Sequence, residues 1–162
     1  MNNFSMDEHL WFMNLALEQA EIAYRKAEIP IGAVLVSKDK SLIATSHNEK
    51  EHEHNPCAHA EILVLQKSAN LLKNWRLTDC ILYVTLEPCP MCLSAMSQAR
   101  ISQCIFGAYD AKGGALSLGF DFYKDKRLNH QFNIMGGIKH YPCAKILSTF
   151  FRERRREYKN KP

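Results

Sequence analysis

From Met6 to Ala27 apolar side chains recur every three to four residues, at Leu10, Met13, Leu17, Ala20 and Tyr24, the spacing of a helix with one buried stripe. Asp7 stands in a capping position and Pro30 closes the stretch. The period then changes. Ile31–Val36 and Ser41–Thr45 are short, apolar and β-branched around Ser37-Lys38-Asp39-Lys40, which predicts a hairpin. The polar run Ser46–Asn55 predicts a loop, and Ala58–Leu71 returns to helical spacing at Ile62, Leu65 and Ala69. Ile81–Leu86, Pro90–Gln98 and Cys104–Ala108 follow as strand, helix and strand, a parallel crossover unit. Gly107–Gly119 holds four glycines directly after a strand end, where the functional loops of layered α/β folds gather. Asn133–Ile138 predicts a last strand interrupted by Gly136-Gly137. A closing basic helix, about residues 142–159, is marked by Ile146, Leu147, Phe150, Phe151 and Tyr158.

The 162 residues fit one domain, 1–162, large enough for a core without staples. Hydrophobic residues at 46% against 23% charged exclude wholesale disorder. There is no apolar run of membrane-spanning length, and the start lacks a signal-peptide core. A cytoplasmic protein without membrane contact is therefore expected. Of six cysteines, Cys80 and Cys104 fall in predicted strands and read as small buried hydrophobes in a reducing compartment. Net charge is +4, and the segment from Arg152 to Lys161, with six basic and two acidic residues, carries all of that surplus.

The candidate chemistry sits in two short runs, Pro56-Cys57-Ala58-His59-Ala60-Glu61 and Pro88-Cys89-Pro90-Met91-Cys92. One imidazole and two thiolates, His59, Cys89 and Cys92, are a soft three-ligand set that suits Zn2+ and leaves a tetrahedral position open for water. Cys89 and Cys92 share a helix face, and Pro90 suits a first helical turn. His59 and Glu61, two apart, can serve one ion only if it lies end-on at a helix mouth. Two helix N-termini would then point at the same place. Glu61 is the natural proton carrier of such a site.

These runs resemble the signature of the cytidine-deaminase-like zinc hydrolases. Within that superfamily the chain is similar to the bacterial tRNA adenosine deaminases through Pro30–Val36, Asn48, Ala58–Glu61, Leu82–Cys89, Phe106–Ala108, Asp110-Ala111-Lys112, Leu128-Asn129-His130 and Phe150-Phe151-Arg152. The resemblance implies a three-layer α/β/α fold around a central mixed five-stranded sheet, one Zn2+ per subunit, and a homodimer. It implies hydrolysis of the wobble adenosine of a tRNA anticodon stem-loop to inosine, with Glu61 as base and then acid. By motif position, Asn48, the Ala60 backbone, Asp110, Lys112 and Asn129 are the implied substrate contacts. Phe151, Arg152, Arg154 and Arg155 combine rings for an unstacked base with charge for phosphates.

Plainer readings stand beside these. Cys57 could fill the fourth metal position and close the site, or merely line the pocket. His52 and His54 alternate with glutamates as solvated loops do. Phe150 and Phe151 could be core anchors, and the arginines an ordinary polar face. A deaminase of a free base or nucleoside (guanine, cytosine or cytidine) would share every zinc residue, and a zinc-stabilised RNA-binding module would share them without turnover.

Overall fold

The computed structural model describes residues 4–160. Its elements run α1 (Met6–Arg25), β1 (Gly32–Val36), β2 (Leu42–His47), α2 (Ala60–Leu72), β3 (Ile81–Leu86), α3 (Pro90–Ala99), β4 (Gln103–Ala108), β5 (Asn133–Gly136) and α4 (His140–Lys159). A short 3-10 turn, Phe122–Lys124, lies between β4 and β5. The strands form one five-stranded sheet in the order β2-β1-β3-β4-β5. β1 is antiparallel to both its neighbours, whereas β3, β4 and β5 run parallel.

Alternation along the central strands sends successive side chains to opposite faces. Ala33, Leu35, Leu82, Val84, Cys104 and Phe106 pack with Ala60, Val64 and Leu65 of α2 and with Leu93 and Met96 of α3. Val34, Val36, Ile81, Tyr83 and Ile105 pack on the other side with Phe12, Met13 and Ala16 of α1 and Cys143 of α4. Both faces are covered, so β1 and β3 read in the sequence as unbroken apolar runs rather than alternating ones. The result is the expected mixed sheet between two helical layers.

Several boundaries differ from the expectation. The cap of α1 is Ser5, not Asp7: its hydroxyl accepts from Glu8 N at 3.3 Å while the Glu8 carboxylate accepts from Ser5 N at 2.8 Å, a reciprocal capping box. Asp7 instead adds a favourable negative charge to the first turn. The helix ends at Arg25, ahead of Pro30, because Ala27 turns left-handed at φ 60°. This swings Glu28 beneath the helix end, where its N–H reaches Ala23 O at 3.0 Å. β2 extends to His47, held in register opposite Gly32. Cys80 lies just before β3 rather than in a strand, yet it is buried, and burial pushes its thiol up to about 11. All six cysteines are free thiols. Among the described residues, no helix is long and apolar enough to cross a membrane.

α1 passes close over the sheet at Gly32. A Cβ there would lie 2.1 Å from Ala16 O and 2.4 Å from Ala20 N, both backbone atoms of α1 that cannot step aside. Gly32→Ala should therefore lower stability by about 3 kcal/mol, read as a urea midpoint shifted at unchanged slope. An unshifted midpoint would mean that α1 does not press on β1 as described.

Candidate active site

β3 and β4 end side by side in parallel, and the chain leaving each of them builds one end of the sheet into a site. The segment after β3 runs through Glu87 and Pro88 to Cys89, the N-cap of α3, with Pro90 as the first helical residue. The loop after β2 delivers His59 as the N-cap of α2. Neither residue makes a side-chain capping bond at its helix start, and the imidazole and the thiol lie beside each other. His59 Nδ1 is 3.7 Å from Cys89 Sγ and 3.5 Å from Cys92 Sγ. The three ligand atoms lie within 4.8 Å of one another, a cluster compatible with one metal ion. The first N–H groups of both helices lack intrahelical acceptors and carry the positive dipole ends, so two helix mouths favour negative charge at this point. Cys57 is exposed and belongs neither to the cluster nor to the cavity wall beside it.

The electrostatics follow from burial and crowding. Glu61, in the first turn of α2, is only 4% exposed, and burial lifts its carboxyl to about 7. The Cys89 thiol is drawn down to about 4, chiefly by the hydrogen bond it accepts from Cys92. That shared proton raises Cys92, and the contact with Cys89 raises His59. Two sulfurs and a ring thus hold dissociable protons in common, the situation in which a divalent ion displaces them.

His59, Glu61 and Cys89 open onto a cavity of about 780 Å³. One wall carries Asn48 and Lys50 with Ile29 and Ile31, and a second carries Ala108–Lys112 with Glu87. The third is α4, through Ala144, Leu147, Ser148, Phe151 and Arg155. Asn48, Asp110, Lys112, Phe151 and Arg155 are therefore brought together as the sequence suggested. Ala60, fully buried, is the first residue of α2, between two lining residues.

Other expected contacts stand elsewhere. Asn129 is exposed and is not among the lining residues. Arg152 is exposed, is not among the lining residues, and donates to Thr149 Oγ1 at 3.4 Å. Arg154 is half-buried: it donates to Ala27 O at 2.6 Å, pairs with Glu157 at 3.2 Å and lies 5.3 Å over the Phe150 ring. Its bond to Ala27 O ties α4 to the end of α1. Phe150 is a core anchor and Phe151 lines the cavity, so the two rings divide the tasks. His52 and His54 are exposed and join no metal-holding group among the described residues. Lys161, counted in the basic segment, lies outside the described residues.

Two buried carboxylates escaped notice in the sequence as working parts. Glu87, 2% exposed, accepts from Asp110 N at 2.9 Å, Ser117 N at 2.7 Å and Ser117 Oγ at 2.6 Å, and so holds the glycine-rich loop against the cavity. Gly114 is required there, since a Cβ would sit 2.3 Å from the Glu87 carboxyl carbon. Glu28, 1% exposed, accepts from the Asn48 amide and from His52 N. Glu87 carried a signal, a carboxylate at the end of an apolar strand beside the cysteine motif. Glu28 carried none, because a lone acid in a turn reads as solvated.

A mixed sheet clothed by helices on both faces, with a histidine and two cysteines at paired helix mouths beside a buried glutamate, defines a hydrolytic deaminase of the cytidine-deaminase-like class. The chain belongs to the MafB19-like deaminase family, which matches residues 6–155. It is 43% identical over 148 residues to the tRNA-specific adenosine deaminase of Bacillus subtilis, covering 91% of each chain. It is also 43% identical to that of Haemophilus influenzae, over 91% of this chain and 85% of the other. A structure solved in a study of A-to-I editing by tRNA:A34 deaminases superposes with a TM-score of 0.79 at 43% identity, over 84% of this chain and 98% of that one. The guanine deaminase of Bacillus subtilis superposes with a TM-score of 0.61 at 33% identity, over 91% and 94%.

Removing the Glu87 carboxylate leaves two backbone donors and a hydroxyl without their acceptor, at a cost of about 1–3 kcal/mol for each group that stays buried. Glu87→Ala should free the loop locally, and trypsin should cut after the exposed Lys112 several-fold faster than in the unaltered protein. Equal cleavage rates would show that the loop is held by something else.

Proposed function

We propose that the chain is a zinc-dependent hydrolase that converts adenosine to inosine at the wobble position of a tRNA anticodon, acting in the cytoplasm as a homodimer with one Zn2+ in each subunit. The observation that carries this reading is the shared cavity: the metal-competent cluster and Glu61 open onto the same space as Phe151 and Arg155 of the basic closing helix. Identity of 43% to curated tRNA-specific adenosine deaminases over nearly the whole chain supports it.

The donor set fits zinc. With Zn–S of about 2.3 Å and Zn–N of about 2.05 Å, tetrahedral geometry separates nitrogen from sulfur by about 3.6 Å, and the separations here are 3.5 and 3.7 Å. His59, Cys89 and Cys92 would hold the ion, and Cys57 is not part of that cluster. Bound there, zinc acts as a Lewis acid that makes water a nucleophile at neutral pH.

Glu61 does the proton work. Its carboxylate takes a proton from the water as oxygen adds to C6 of adenine and delivers it to the adjacent ring nitrogen. In the second half it carries a proton to the exocyclic amine as the C6–N bond breaks, so that water and adenosine become inosine and ammonia. Burial raises this carboxyl above the ordinary carboxylate range, the direction that suits a group which must both accept and give a proton. The low exposure of Asn48 and Glu61 keeps bulk water from the reacting ring. Asn48 contacts the base, and the loop carrying Asp110 and Lys112 contacts the nucleotide around it.

The basic helix separates this reading from that of a free-base deaminase, to which the chain is less similar. Phe151 is 42% exposed at the cavity rim, placed for a splayed base to stack on it. Arg155 lines the cavity, and Arg152 and Arg156 are exposed beside it, where phosphates would follow.

The purified protein should release ammonia from an anticodon stem-loop bearing adenosine at the wobble position, and far more slowly from adenosine, cytidine or guanine. Rapid turnover of a free compound with none of the RNA would defeat the proposal. Glu61→Ala should lower kcat by at least about 10³-fold while zinc content and melting temperature are retained. Loss of the metal together with the activity would mean that Glu61 is a structural group.

Binding of the stem-loop should weaken with salt. Replacing Arg152, Arg155 and Arg156 by Ala should reduce the slope of log K against log salt by about 2, on about 0.7 for each phosphate neutralised. An unchanged slope would make this helix face a bystander.

A further inference from the structure

The cavity wall opposite the loop of Asp110 and Lys112 contains one side chain whose orientation is chemically decided. Asn48 is held at its backbone by donation to Ile31 O at 2.9 Å. Its side chain is 3% exposed and lines the cavity. An amide can turn over and exchange its oxygen for its NH2 at no cost in shape. Here it cannot, because Nδ2 lies 2.9 Å from Glu28 Oε2, and an amide oxygen in that place would face a carboxylate oxygen.

Glu28 is itself fixed on every side. Its N–H reaches Ala23 O at the end of α1, at 3.0 Å. Its second oxygen, Oε1, accepts from the backbone N–H of His52 at 2.7 Å. A backbone donor has no alternative orientation, so Oε1 is committed as an acceptor and Oε2 is left for Asn48. Glu28 is 1% exposed, so water does not compete for either oxygen. A buried carboxylate costs stability unless its oxygens are satisfied. The left-handed turn at Ala27 sets it behind the cavity rather than in solvent, which suggests a task beyond packing.

The geometry points to Glu28 as a positioning residue for the deamination. It holds the Asn48 amide in one of its two orientations, so that the substrate meets a fixed pattern of donor and acceptor at that wall. This rests on the reading of Asn48 as a substrate contact. Glu28 acts only through Asn48, since its own oxygens are occupied and no atom of it needs to touch the nucleotide.

The arrangement provides its own test in Glu28→Gln, which keeps the shape. The His52 N–H still requires an oxygen at the first position, so the new amide must present its NH2 to Asn48. Asn48 then turns over to offer its oxygen, and the groups facing the cavity are interchanged. With the zinc-loaded protein and a wobble-adenosine stem-loop, E28Q should lower kcat/KM at least tenfold, with melting temperature and zinc content unchanged. N48A should lower it by as much or more. In the double variant E28Q/N48A the Glu28 change should cost nothing further, because the group it orients is gone.

E28Q within twofold of the unaltered enzyme, or two losses that multiply in the double variant, would overturn the assignment. Full activity in N48A would overturn it through the role of Asn48, and absence of turnover in the unaltered protein would instead strike the proposed function. Should E28Q not fold, E28D serves. It keeps two acceptor oxygens one methylene further back, and its loss should likewise vanish in the N48A background; a loss that persists there overturns the assignment.

Discussion

Two helices begin at the same point, and the rest of the molecule is arranged to let them. α2 and α3 lie on one face of the sheet, and the side chains of the residues that cap them, His59 and Cys89, meet at 3.7 Å. Helix starts present unpaired N–H groups and positive dipole ends. Bringing two such ends together is unfavourable unless negative charge lies between them. The Cys89 thiolate provides it, which binds the electrostatics of the fold to the chemistry of the site. The parallel arrangement of β3 and β4 makes the convergence possible, since it brings the loop after β4 alongside the start of α3.

How much of this could be read in the chain depends on whether the information was local. The helix mouths were legible because proline placement and residue spacing are local constraints: Pro90 fixes where α3 starts, and the two-residue gap between His59 and Glu61 demands an end-on geometry. The central strands were legible because burial on both faces leaves unbroken apolar runs such as Ala33–Val36. The cap at Ser5 was misplaced by two residues because Asp7 is an equally good capping type, and only the reciprocal bond to Glu8 distinguishes them. Arg154 and Arg155 are adjacent in a basic run, and nothing in that run says that one holds the carbonyl of Ala27 while the other lines the cavity. That division is set by the packing of α4 against the end of α1. Asn129 is a similar case, named by motif position and placed outside the wall by the path of the chain after the 3-10 turn.

The two walls flanking the metal cluster are each held by a carboxylate that is nearly inaccessible. Glu87 gathers the loop from Asp110 to Ser117, and Glu28 gathers Asn48 and His52. Buried acids are costly, and breaking their pairings costs more than replacing them with apolar residues of the same shape. Their bonds to two of the segments that line the cavity suit a site whose loops must be rigid without regular secondary structure. Sequence periodicity has no means of reporting such residues, since an acid between elements is usually solvated.

The cavity draws on segments from Ile29 to Arg155, nearly the full span of the polypeptide, and its third wall is α4. A nascent chain interrupted before Ala144 therefore possesses every metal ligand and the proton carrier but lacks the surface that completes the chamber around them. Synthesis from the N-terminus passes through this incomplete form, and the chamber closes only once α4 has docked.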